Sequence, residues 1–183
     1  MAVRVTGFYE DAGSFRDTVE SERYGAMPSL LVRLGERTTL TYELEYSRQE
    51  IPFDRGVVAI GGQLGAVPPN RFLGEPGDGP LEAKATGHQL QLQHDLDADW
   101  SVLLGAGYRE TSLDGFSSEA ELASNRQRLF VDGRTLSRQR RFRDYDAEHT
   151  VLRAELAGRF RTGTIEHRVL FGADHDAFDN DQV

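Results

Sequence analysis

Residues 38–47 read TTLTYELEYS. Leu40, Tyr42, Leu44 and Tyr46 fall on one side of an extended chain, and Thr41, Glu43, Glu45 and Ser47 on the other. A helix would scatter both sets around its circumference, so this stretch is a strand with one apolar and one wet face.

The same alternation recurs outward from it. Residues 2–10 place Val3, Val5 and Tyr9 opposite Arg4, Thr6 and Glu10. A polar stretch, DAGSFRDTVES, follows. Residues 24–34 read as one strand, with Pro28 making its start irregular or edge-like. Residues 86–96 place Leu90, Leu92 and Leu96 opposite Gln89, Gln91, Gln93 and Asp95. Trp100, Val102, Leu104, Ala106 and Tyr108 oppose Ser101, Gly105, Gly107 and Arg109. A sixth strand, starting before Asp144, carries Leu152, Ala154, Leu156 and Phe160. A seventh carries Ile165, His167, Val169, Phe171 and Ala173.

The connections alternate in length. Tight turns follow the second, fourth and sixth strands. Long polar or Gly/Pro-rich stretches follow the others, most conspicuously IPFDRGVVAIGGQLGAVPPNRFLGEPGDGP at 51–80. The stretch 112–137 reads as a second long polar region, with a local hairpin at RLFVDGRTLSR or a helical turn at SEAELAS. The chain then ends in an acidic tail, DHDAFDNDQV. In an antiparallel meander, alternate connections share an end, so all the long ones lie together. That asymmetry and strands of about 9–11 residues or more match a transmembrane barrel. Trp100, Tyr108, Tyr46 and Phe160 fall where an aromatic girdle would lie. The expected fold is all-β: an antiparallel meander of about seven long strands, part of a large barrel. A soluble sheet with one wet face is the competing architecture.

Composition bounds the chemistry. A net charge of −9 gives no support to a nucleic-acid partner. Nearly every cation is Arg; Lys84 is the only lysine. Without cysteine there is no disulfide, thiolate metal site or cysteine nucleophile. No apolar run reaches the ~18–20 residues of a membrane helix, and barrel strands escape that test. The opening AVRVTGFYE does not read as a signal peptide, having no charged n-region and apolar h-region.

Against this frame several landmarks stand in order: GSFRD; PSLLVRLGERTTLTYELEYS; P-x-D-R-G at Pro52, Asp54, Arg55 and Gly56; P-x-x-R-x-x-G-E-P at Pro68, Arg71, Gly74, Glu75 and Pro76; and Phe160, Thr162, Gly163, His167, Leu170, Gly172 and Asp174. Together they resemble the barrel of TonB-dependent outer-membrane ferric-siderophore (ferrichrome-type) receptors, from about Arg4 to Asp174. The resemblance implies a 22-strand-type barrel of which residues 1–183 are one internal, partial domain, without plug, signal peptide or C-terminal strands. It implies outer-membrane localisation, and uptake of a ferric-siderophore in the intact parent with a TonB complex as partner. Outer-membrane lipid and lipopolysaccharide would surround it. A passive porin, a small independent barrel and a soluble binding module are the alternatives.

The lipid-facing set is expected to be Leu40, Tyr42, Leu44, Tyr46, Leu90, Leu92, Trp100, Val102, Leu104, Tyr108, Leu152, Leu156, Phe160, Val169 and Phe171. In the loops, Phe53, Asp54, Arg55, Arg71 and Phe72 either shape the mouth for an anionic ligand or pin the loop to itself; pinning is the simpler reading. Arg138, Arg140, Arg141 and Arg143 form a basic cluster that either attracts an anionic chelate or is a solvated strand extension. Asp174, His175, Asp176, Asp179 and Asp181 lack the glycine and distal Glu of a calcium loop, so a solvated acidic loop is expected rather than a metal site. His88, His94, His149 and His167 have no metal-ligand spacing. No cofactor is expected, and no Ser/His/Asp set or carboxylate pair points to an enzyme.

Overall fold

The computed structural model describes residues 1–59, 63–65, 67–121, 123, 125–126, 132 and 135–182. They form one antiparallel sheet. Its segments are β1 (Ala2–Arg4), β2 (Gly7–Gly13), β3 (Glu20–Ala26), β4 (Ser29–Arg33), β5 (Thr38–Ile51), β6 (Leu81–Asp95), β7 (Trp100–Ala120), β8 (Arg138–Thr162) and β9 (Ile165–Gln182). The sheet is not closed among the described residues.

The nine segments make seven continuous strands. β3 and β4 pair with β5 in one unbroken register, from Glu22↔Glu50 through Ala26↔Tyr46 to Ser29↔Glu43. The break between them is Pro28. Its carbonyl accepts from Leu44 N at 3.0 Å, but without an N–H it gives nothing back to the ladder. The gap between β1 and β2 lies opposite, spanned by reciprocal bonds between Thr6 and Met27. Pro28 is therefore an interior interruption and not the mark of an edge strand, because β1, β2 and β5 flank it on both sides.

Register carries one apolar face across the sheet. Leu40 faces Leu92, Leu92 faces Leu104, and Leu104 faces Ala154. Val102 meets Leu156, and Leu156 meets Phe171. Every residue of the expected lipid-facing set falls on this face. Val3, Leu90, Leu104, Leu152, Phe160 and Phe171 are exposed there, and the opposite Gln89, Gln91 and Gln93 are exposed too. Among the described residues neither face is packed against protein. The apolar residues that are buried, Val19, Val67 and Leu81, all lie at the long-loop end.

Eight residues separate Trp100 from Tyr108, about 26 Å along a strand. Tilted by about 35–45°, that rise projects to about 18–21 Å, most of the ~25 Å apolar band of outer-membrane barrels. At the short-turn end Trp100 lies over Gly158, its cross-strand partner, where a Cβ would collide with the indole. At the other end Tyr46 and Tyr108 stand where Thr86, Glu110 and Glu148 replace the aliphatic residues.

Three expectations need correcting. β7 runs to Ala120, so 112–120 of that stretch is strand, and 118–120 of SEAELAS is extended rather than helical. The hairpin at RLFVDGRTLSR lies largely outside the described residues. The acidic tail is the far half of β9, paired with Tyr145–Arg153 of β8, and not a solvated loop. In each case long-range pairing supplies backbone partners that polar side chains alone did not predict. The connection at 14–19 is also short, so the end asymmetry rests on 52–80 and 121–137 against the turns at 34–37, 96–99 and 163–164.

Candidate ligand-facing cap and inner face

The loop at 52–80 is held from two sides. On one side stands Arg16, from the connection between β2 and β3. Its Nε lies 2.5 Å from Asp54 Oδ2, and its Nη1 donates to the carbonyls of Pro69 (2.6 Å) and Arg71 (3.3 Å). One guanidinium thus joins the P-x-D-R-G end of the loop to its returning end. Asp17 reinforces the join: its N–H donates to Asn70 O, and the Asn70 amide donates to its carboxylate. Asp54 also accepts from Gly56 N at 2.8 Å, in a turn where Gly56 takes φ 83°.

On the other side stand the extensions of β7 and β8. Arg138 donates to Gly74 O at 2.5 Å and to Glu75 at 2.9 Å. Arg140 pairs with Asp78 at 2.7 Å, and Ser118 Oγ donates to the same carboxylate. The segment they grip holds a single 3-10 turn, Pro76–Asp78. Arg138's hydrogen bond, then that of Gly77 N, holds the Glu75 carboxyl below its ordinary value. Burial alone would raise Asp78, but Ser118 and Arg140 outweigh it and the net direction is down.

Parity divides the basic cluster. Arg138 and Arg140 face Ala120 and Ser118, in line with the apolar face below. Arg141 and Arg143 face Ser117 and Gly115, in line with His149, Val151 and Arg153 on the polar face. There they converge on Glu119. Arg55 Nε lies 2.6 Å from one Glu119 oxygen; Arg141 Nε and Arg143 Nη2 lie 3.3 and 3.6 Å from the other. Arg143 also donates to Ser117 Oγ. Phe53 is bracketed, with the Arg143 guanidinium 4.4 Å and that of Arg55 5.4 Å from its ring centroid.

Of the loop residues singled out in the sequence, Phe53 and Arg55 come together at this inner node, while Asp54 belongs to the Arg16 clasp. Phe72 folds back onto Gly74, leaving no room for a Cβ there. Arg71 is engaged through its backbone while its side chain is exposed. Arg16, Ser117 and Glu119 were missed. Arg16 had one signal, its place in the GSFRD landmark; Glu119 had none, because 112–137 read as loop.

Below the node the polar face is concave, with a cavity of about 820 Å³. Gly87, Gly105 and Gly107 form part of its floor. The Glu45–Arg109 pair (2.9 Å) and the His149–Asp176 pair project from the same face. Among the described residues no group of His, Asp and Glu is placed to hold a metal ion.

No family model matches the sequence. The chain is 36% identical over 174 residues to the metal-pseudopaline receptor CntO of Pseudomonas aeruginosa (strain UCBPP-PA14), covering 95% of this chain and 24% of the relative. It is 26% identical over 186 residues to the ferrioxamine receptor of Yersinia enterocolitica, covering 98% and 25%. The ferric-catecholate import receptor Fiu of E. coli K12 superposes with TM-score 0.84 at 20% identity, over 97% of this chain and 27% of that one. The siderophore receptor PiuA of Acinetobacter baumannii superposes with TM-score 0.80 at 20% identity, over 98% and 26%. The chain thus spans about a quarter of the length of the curated relatives it matches. All four are receptors, not enzymes.

Proposed function

Because this chain is TonB-dependent siderophore-receptor barrel over nearly its whole length, we propose that the protein carrying it takes up a ferric-siderophore across the outer membrane. The chain itself is an outer-membrane sheet. The observation that carries the reading is the pairing of an unbroken apolar face with a wet concave one, beneath a cap built at one end. The apolar face meets lipid, and the cap stands on the cell surface, where lipopolysaccharide surrounds it. The concave face lines the lumen.

In this reading residues 1–183 contribute barrel wall and surface loops. The plug and the remaining strands belong to sequence outside them, and a TonB complex supplies the energy for import. Phe53, Asp54 and Arg55 shape the mouth from within. Arg138 and Arg140 serve it indirectly, by fixing the 74–79 segment. The ordered clasp of 52–80 supports a shaping role for the loop over direct contact along its whole length.

The test is uptake of radioiron-labelled siderophores by iron-starved cells. Cells lacking the gene, or carrying the full-length protein with 56–80 deleted, lose import of at least one chelate, and the intact gene restores it. Import must also collapse when the membrane is de-energised. Unchanged uptake in the deletion strain, or uptake indifferent to de-energisation, overturns the reading; the second result is that of a passive porin.

A further inference from the structure

The inner node at Glu119 is unbalanced. Three guanidiniums, from Arg55, Arg141 and Arg143, surround one carboxylate. Neighbouring carboxylates are committed elsewhere: Asp54 to Arg16, Glu75 to Arg138, Asp78 to Arg140 and Glu121 to Arg126. Two positive charges at the node are therefore left without a counter-charge among these residues.

The geometry is also loose. Glu119 is 5% exposed, yet neither of its oxygens receives a bond of hydrogen-bonding geometry from the described residues; the three contacts are ion pairs only. A carboxylate so placed balances charge without using the directional donors of the guanidiniums. Arg143 is buried beside it, while the Arg55 and Arg141 side chains keep 56% and 52% of their surface open. The site therefore has a buried anchoring cation and two accessible ones, with Phe53 forming an apolar wall. All lie on the polar face, above the concave trough. A lipid headgroup on the apolar face does not reach them, so the ligand comes by the lumen or the mouth.

The geometry points to an oxyanion-binding subsite formed by Arg55, Arg141 and Arg143, with Glu119 as its resident counter-charge, which takes a carboxylate-bearing metal chelate in preference to a neutral one. This rests on the receptor reading above and adds the charge class of its ligand. Glu119 has two roles here. It keeps three like charges together in the empty site, and it competes with the incoming anion for Arg55 and Arg141. Binding exchanges loose ion pairs for directed, charge-assisted hydrogen bonds at the exposed guanidiniums.

The experiment uses the full-length receptor in detergent, titrated calorimetrically with ferric chelates graded in charge, from a neutral trihydroxamate complex to ferric citrate. Wild type is expected to favour the anionic chelates, more so at low salt. R55Q/R141Q is expected to weaken their binding about tenfold or more and that of the neutral complex much less. E119Q removes the competitor and is expected to strengthen anionic binding. Retained β-sheet circular dichroism in detergent shows that the variants fold. Equal loss for neutral and anionic chelates, or indifference of anionic binding to R55Q/R141Q, overturns the subsite and leaves the receptor reading standing. A wild type that binds no chelate of any charge overturns both.

Discussion

Arg16 Nε lies 2.5 Å from Asp54 Oδ2, and both side chains are largely shielded, at 13% and 20% exposure. The same guanidinium donates to Pro69 O, 53 residues along the chain. A loop of this length is expensive to order by local geometry alone, since every residue loses backbone freedom. A single cation reaching both its ends replaces much of the local structure the loop lacks.

Arg16→Ala should release the loop without unfolding the sheet. Hydrogen bonds to charged groups contribute roughly 1.5–3 kcal/mol each, so local opening should become easier by about 2–3 kcal/mol. Hydrogen exchange should speed up across 52–59 and 67–73 and stay unchanged in β6 and β7. Arg16→Lys keeps the charge but loses the fork, and should fall between the two. Uniform exchange across the loop in all three proteins would show that Arg16 does not hold it.

The two faces should respond oppositely to charge. Leu92 lies between Leu40 and Leu104 near the middle of the apolar face, whereas Gln91 is beside it on the wet face. Leu92→Arg should cost about 2–4 kcal/mol in folding into bilayers, and Gln91→Arg should stay within about 1 kcal/mol. Reversible urea unfolding of the full-length protein in lipid vesicles measures both. Equal tolerance would mean that the apolar face does not meet lipid.

Gly158 is required by Trp100. A Cβ at 158 would fall within the indole that covers it. Gly158→Ala should therefore destabilise by about 1–3 kcal/mol through overpacking. Trp100→Leu should remove most of that penalty, giving a coupling of at least ~1 kcal/mol in a double-mutant cycle. Additive effects would show that the ring does not rest on residue 158.

Acid should open the 74–79 clasp before the rest of the cap. Glu75 and Asp78 have lowered pKa values when clasped, so the clasped state binds fewer protons than the open one. Their contribution is complete above the ordinary carboxylate range of about 4 and is lost as pH falls through the lowered values. Exchange protection of 77–79 should be flat from pH 7 to about 5 and decline below about 4. Asp78→Asn should flatten that decline. A decline centred near pH 6 would point instead to a histidine.

Alternation of apolar and polar residues is a property of extended backbone itself, and TTLTYELEYS displays it in ten residues. The faces of β5 to β9 were legible for that reason, and so was the aromatic boundary at Trp100, Tyr108 and Tyr46. The landmarks at Asp54, Arg55, Gly74 and Glu75 were legible as a pattern, though not their partners. Residues 112–120 and 174–182 were misread because they are polar on both faces. Beyond the apolar band there is no apolar face to reveal a strand, and only pairing with β8 makes them strands.

The sequence by itself thus determined an all-β sheet with one apolar face and one wet face, because side-chain alternation is local. The tertiary structure decided which arginines turn inward. Arg138 and Arg140 stand on one side and Arg141 and Arg143 on the other only once β8 is known to continue in register to residue 138. It also decided that Arg55 and Glu119 share a node, since an ion pair depends on distance in space and leaves no periodic trace along the chain.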